Sequence, residues 1–272
     1  MIVKDDEATY HANPALSNSR ISLLLKCPAA YKWSMDHPKE EDSDTLLLGR
    51  LFHAMVLEEE TVANKYSLKK YNGSTREGKA EKKAAEEAGL ILVPKYIWDA
   101  ATEMAAKVRW SQFWQTVLQD RDSLTTETSI YWNQGGIDCK ARLDCITTMG
   151  NFGRVIIDLK STQDSNPEAI KKSIATYGYH RQAAWYRHAL SLEGIPTEAF
   201  IFVFVEKQPP YNLTVAVISE AAQAAATEEI RTALDTFRQC QESNCWPDYT
   251  NGQVVEVDLP EWYYRQQGES NV

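Results

Sequence analysis

The spacing of apolar residues divides the chain into helical, alternating and mixed stretches. In "SNSRISLLLKCPAAYKW" (17–33), Ile21, Leu24 and Leu25 form a stripe behind the capping serines Ser17 and Ser19, which predicts one capped helix. "TLLLGRLFHAMVLEE" (45–59) is apolar nearly all round and predicts a buried helix. "EGKAEKKAAEEAG" (77–89) predicts a polar surface helix that stops at Gly89. Pro94 opens a long amphipathic helix over 94–119. The period then shortens to two. "TTETSIYWN" (125–133), the turn "QGG" and "IDCKARLDCIT" (137–147) describe a β-hairpin, and "RVIIDLKST" (154–162) a third strand. A helical stretch through "YGYHRQAAWYRHALSLEG" (177–194) leads to strands "AFIFVFVE" and "YNLTVAVIS" and a last long helix from Glu220. This is an α/β pattern: a central mixed β-sheet flanked by helices.

Alternation also sorts side chains between faces. Over 137–146, Ile137, Cys139, Ala141, Leu143 and Cys145 take one face, and Asp138, Lys140, Arg142 and Asp144 the other. Asp158 and Lys160 share a face, while Glu127 shares one with Ser129 and Tyr131. If these strands are neighbours, Glu127, Asp144, Asp158 and Lys160 meet across the sheet. Carboxylates gathered in this way repel one another unless a cation lies between them, and oxygen-rich sites favour Mg²⁺ or Mn²⁺. A lysine beside such an ion can activate water and stabilise phosphate charge. Taken singly, each piece has a plainer reading. Asp158 and Lys160 alone read as a strand-end ion pair. His53, about 140° from Leu48 around its helix, alone reads as a core histidine. Gln182 and Tyr186, at i and i+4, alone read as a polar helix edge.

Composition narrows the class without naming it. Hydrophobic residues make up 43% and charged residues 25%, as in an ordinary globular protein. No apolar run approaches the ~20 residues of a membrane span, and the N-terminus lacks the regions of a signal peptide, so a cytoplasmic location is expected. The five cysteines are odd in number and scattered, which argues against a disulfide framework. Cys27, Cys240 and Cys245 are one short of the four that an iron–sulfur staple takes. The net charge of −9 argues against a uniformly basic nucleic-acid surface. Acids crowd 36–44 and 57–60, whereas 74–83 and 171–172 are locally basic, which suggests a sided molecule. No repeat or linker divides the chain, so one domain over 1–272 is expected, helical to about 120 and carrying the sheet and C-terminal helices from about 121.

In order, these pieces resemble the exonuclease VIII (RecE) nuclease domain of the PD-(D/E)XK nuclease superfamily. The residues that carry the resemblance are "YHANPALSNSRISLLLKCPAAYKW", the G-x-x-x-H pattern of "LLLGRLFHAMVLEEE", "TETSIYW", "CKARLDCI", "IIDLKST", the Q-x-x-x-Y pattern of "YGYHRQAAWYRHAL", and the "WP" and "LPEWYY" near the end. It spans nearly the whole chain and lacks the long N-terminal extension of the family's larger members. By this resemblance, His53, Asp144, Asp158 and the Leu159 carbonyl hold Mg²⁺, for which Mn²⁺ substitutes. Glu127 supports a second ion or its water, Lys160 activates the nucleophile, and Gln182 and Tyr186 hold the DNA or the lysine. Ser17, Ser19, Arg76, Lys79, Arg142 and Thr162 are candidates for DNA contact. The implied activity is ATP-independent 5′→3′ digestion of one strand from a double-stranded DNA end, leaving a 3′ tail for a RecT-like single-strand annealing protein. The implied assembly is a homo-oligomeric ring of three or four subunits. An endonuclease or junction resolvase on the same core, and a catalytically silent recombination scaffold, remain open alternatives.

Overall fold

The computed structural model describes residues 1–37 and 43–269; residues 38–42, the middle of the acidic segment at 36–44, lie outside them. Six strands form the central sheet in the order β1-β4-β5-β6-β7-β8: β1 (Ile2–Val3), β4 (Thr125–Gln134), β5 (Ile137–Thr148), β6 (Arg154–Thr162), β7 (Ala199–Glu206) and β8 (Leu213–Val217). Among the described residues of this sheet, β6 and β7 pair in parallel and the other neighbours antiparallel. A parallel neighbour requires a crossover, and here it is made by helices α9 (Pro167–Tyr177) and α10 (Tyr179–Leu192). Two short parallel strands, β2 (Tyr66–Leu68) and β3 (Ile91–Val93), make a separate small sheet.

Helices cover both faces. One face packs against α2 (Asn18–Lys26), α3 (Pro28–Asp36), α10 and α11 (Glu220–Ser243), around Leu16, Ile130, Ala141, Leu143, Trp185 and the row Phe200, Phe202, Phe204. The other packs against α4 (Asp44–Leu57), α7 (Lys95–Arg109) and α8 (Gln112–Val117), around Phe52, Met104, Val155, Ile157, Leu159 and Val203. Alternate residues of β6 and β7 therefore enter opposite cores, each fully buried large side chain contributing about 1.5–3 kcal/mol. Smaller helices complete the chain: α1 (Glu7–Ala12), α5 (Val62–Lys65), α6 (Arg76–Glu87) and α12 (Glu261–Glu269). Among the described residues no helix is long and apolar enough to cross a membrane.

Three expected helices are divided, each for a local reason. The helix expected over 17–33 breaks at Cys27, which is extended (φ −169°) because Pro28 follows it and disfavours helical backbone there. The one expected over 94–119 ends at Trp110, and the Ser111 hydroxyl caps a new helix by accepting from the Trp114 N–H at 3.1 Å. The crossover divides at Gly178, whose backbone (φ +67°) is left-handed and readily adopted only by glycine. That break starts α10 at Tyr179 and aims Gln182 back at the sheet. The expected placement of Cys139 and Cys145 on one face is also corrected: Cys139 lies in one core and Cys145 in the other. The cause is a fault in the hairpin, which creates the site.

Candidate active site

Strands β4 and β5 pair in one continuous register, from Gln134↔Ile137 to Thr125↔Ile146, except at Glu127. Glu127 and Asp144 stand opposite one another and do not pair. Glu127 has left-handed backbone (φ +49°), which costs a non-glycine residue on the order of 1–3 kcal/mol. On β5, Leu143 and Ile146 enter the same core while Cys145 enters the other, so the pleat slips by one residue at Asp144. Both carboxylates thereby leave the regular alternation together. Next door, the β5–β6 ladder stops at Cys145↔Ile157. Beyond that point the Leu159 N–H donates to Asp144 Oδ2 at 2.9 Å.

Helix α4 brings His53 to this opening. Its Nδ1 lies 3.4 Å from Asp144 Oδ2. Among the described residues, His53, Glu127 and Asp144 each offer a ligand atom within 4.8 Å of the others'. Gly49, one turn earlier on α4, lines the same cleft, where an added Cβ would make an ordinary 3.9 Å contact with Ser161 Oγ. Burial lowers the pKa of His53 against the pull of Glu127 and Asp158, which favours the neutral imidazole that binds metals.

On the other side of the opening, Asp158 is 1% exposed. Its Oδ1 accepts from the Gln182 side-chain amide at 2.5 Å. Its Oδ2 makes a close ion contact with the Lys160 ammonium. Lys160 also lies 4.9 Å from the Tyr179 ring centre, a cation–π contact. Burial, then Glu127, pushes the Asp144 carboxyl up to about 7. Burial, then Asp144, pushes Asp158 up to about 6. Burial pulls Lys160 down, but Asp158 and Asp144 outweigh it and leave the ammonium above its ordinary value.

The other expected residues fall in different places. Tyr186 is half-buried against Phe200, and burial raises its phenol well above the usual range. Arg142 donates to Glu127 Oε2 at 2.7 Å and to the Asp5 carbonyl at 3.0 Å. Ser17 is the buried cap of α2, with its hydroxyl 3.0 Å from that of Ser19. Thr162 closes β6 by donating to the Asp164 carbonyl. Arg76 and Lys79 are exposed on the first turns of α6. Sequence reasoning missed the rest of the cleft, about 340 Å³, whose lining includes Glu7, Arg50, Glu58, Lys65 and Tyr66. Arg50 was within reach of that reasoning, being one turn before His53. Glu7 and Lys65 sit in short helices that leave no periodic signal.

An imidazole and two carboxylates within one ion's reach, with the buried Asp158 carboxylate beside them, fit a divalent cation that takes mostly oxygen ligands. The sheet, the slipped hairpin and the Asp158–Lys160 pair define a nuclease core of the PD-(D/E)XK type. The chain belongs to the family described as a PDDEXK-like domain of unknown function (DUF3799), matched over residues 17–256. This bears out the superfamily resemblance and the fold class read from the sequence. No curated protein matches the sequence. Among solved structures, a candidate exonuclease from Eubacterium rectale has a similar fold, with TM-score 0.64, 14% identity, and 96% of this chain and 98% of that chain covered. A phage-related exonuclease from Haemophilus somnus 129PT gives TM-score 0.36 and 13% identity over 85% of this chain and 96% of that one.

Proposed function

We propose that the protein is a Mg²⁺-dependent, ATP-independent exonuclease that digests the 5′-ended strand of double-stranded DNA and leaves 3′ tails. The observation that carries this reading is the convergence of His53, Glu127 and Asp144 beside the Asp158–Lys160 pair. His53, Asp144 and Asp158, with the Leu159 carbonyl, would hold the ion, and Glu127 would hold a second ion or its water. When bound, the metal would lower the pKa of its water and stabilise charge on the phosphate. Lys160 holds its proton at Nζ while Asp158 and Asp144 are uncompensated, and is freed to act as a base once their charge is balanced. Gln182 fixes the Asp158 carboxylate from α10, and Tyr186 closes the apolar wall behind it.

The exonuclease description of the Eubacterium rectale protein, which shares the fold, supports end-directed rather than internal cleavage. The working form in this reading is a ring of three or four copies, lined by Arg76, Lys79, Lys82 and Lys83, acting in the cytoplasm with a RecT-like annealing protein. The test is digestion of linear duplexes labelled at one 5′ or one 3′ end, beside covalently closed circles, with Mg²⁺ and without ATP. Early release of 5′ label as mononucleotide, 3′-tailed product and untouched circles are expected. Cut circles would shift the assignment to an endonuclease, and 5′-tailed products would reverse the polarity.

A further inference from the structure

We propose that the N-terminal segment is a working part of the metal centre, with Asp5 holding Arg142 and Arg142 in turn positioning Glu127. Both are thus positioning residues rather than DNA contacts. This rests on the reading of His53, Glu127 and Asp144 as a metal site.

The chain of contacts is continuous. Strand β1 pairs with β4 through Val3↔Ser129, which lays the following residues along the outer side of the hairpin. There the Tyr131 hydroxyl donates to Asp5 Oδ2 at 2.5 Å and fixes the carboxylate. Arg142 Nη1 donates to the Asp5 carbonyl at 3.0 Å and lies 3.6 Å from Asp5 Oδ1. Arg142 Nε donates to Glu127 Oε2 at 2.7 Å. All three charged side chains are only 14–15% exposed, so solvent screens their interactions little. The Tyr10 ring lies 5.9 Å from the guanidinium and adds a further wall.

Glu127 has particular need of such a partner. It lies outside the ladder, in left-handed backbone, with Asp144 opposite and repelling it. Nothing in the regular hairpin would hold its carboxylate toward Asp144 and His53. Arg142 compensates the charge and occupies one of the two carboxylate oxygens, leaving Oε1 for the site. With Nε given to Glu127 and Nη1 to Asp5, Nη2 is the one guanidinium nitrogen not committed to these two carboxylate-bearing residues. Partners that orient ligand side chains govern metal affinity in this way.

The experiment is Mn²⁺ titration by calorimetry on wild type, Asp5→Asn, Arg142→Gln and Tyr131→Phe, with duplex-end binding measured in parallel. Weakening of Mn²⁺ binding by about 10- to 100-fold is expected for Arg142→Gln, and less for Asp5→Asn, which keeps the backbone carbonyl that Arg142 bonds, and for Tyr131→Phe, with end binding within about twofold. A DNA-contact role makes the opposite demand: Arg142→Gln loses end binding with Mn²⁺ affinity intact, and Asp5→Asn, having shed a negative charge, binds ends as well or better. That result overturns the proposal. Should Arg142→Gln fail to fold, Asp5→Asn and Tyr131→Phe carry the same comparison. Variants that bind Mn²⁺ as wild type does refute the clamp alone, whereas a wild type that binds Mn²⁺ but releases no nucleotide refutes the nuclease reading and leaves the clamp standing.

Discussion

The Asp144 side chain stands in for a strand: its Oδ2 takes the Leu159 N–H at 2.9 Å where the β5–β6 backbone ladder has already stopped. One carboxylate thus closes the sheet and faces His53. Asparagine can accept the same hydrogen bond without the charge. Because burial and Glu127 raise Asp144 from its ordinary 3.8 to about 7, its ionised form weakens the metal-free fold. Asp144→Asn should therefore be more stable than wild type at pH 8 without metal, by about 1–3 kcal/mol. It should match wild type only below about pH 4, where Asp144 is protonated in both folded and unfolded chains, and gain nothing from Mn²⁺. Thermal melts at the two pH values check this, and equal melts at pH 8 would count against a strained carboxylate.

Wild-type stability should carry the same signature. Asp144 and Asp158 bind protons more tightly folded than unfolded, so the metal-free protein should lose stability as pH rises from about 4 to about 7. Metal binding requires the deprotonated ligands and so strengthens over the same interval. The Tm gain from saturating Mn²⁺ should be small at pH 5.5 and large at pH 8. A gain independent of pH would place the ion elsewhere.

Lys160→Ala removes the ammonium without touching His53, Glu127 or Asp144. Nucleotide release should fall by on the order of 10² or more if Lys160 is the base, while duplex ends still bind. Near-normal turnover would remove Lys160 from the reaction.

Gln182→Met keeps much of the bulk but deletes the donor to Asp158 Oδ1. A buried carboxylate without that bond should cost about 1–3 kcal/mol at pH 8 and less below pH 5, where Asp158 is protonated. Urea melts at both pH values separate this from a simple packing loss, which would be the same at each.

Much of the fold was legible because alternation and helical spacing are strong signals over long elements. The hairpin, β6, β7 and α4 follow that pattern closely. Strands of two or three residues such as β1, β2 and β3 have no period to read, and so the N-terminal part is less purely helical than expected. Helix breaks at Cys27 and Trp110 were written in Pro28 and Ser111 but overshadowed by continuous apolar stripes. Glu127, Asp144, Asp158 and Lys160 were found by assuming a regular pleat. The structure brings them together through an irregular one, a departure that strict alternation cannot foresee.

A closed ring makes a measurable demand on the chain. With net charge −9, one copy should hold DNA poorly as salt rises, so extensive digestion in one encounter requires encirclement. Light scattering at micromolar concentration should give the mass of three or four chains. A strict monomer that still digests processively would rule the ring out.

The slipped pleat at Glu127 and Asp144 also sets a direction for change in this protein. Substitutions that relax the left-handed backbone or straighten β5 would repair the hairpin, and repair moves the two carboxylates back into ordinary alternation. Selection for thermal robustness alone would therefore tend to produce sturdier, inert descendants. Stabilising this scaffold without silencing it means strengthening the cores around Phe202 and Met104, and leaving the fault between β4 and β5 unhealed.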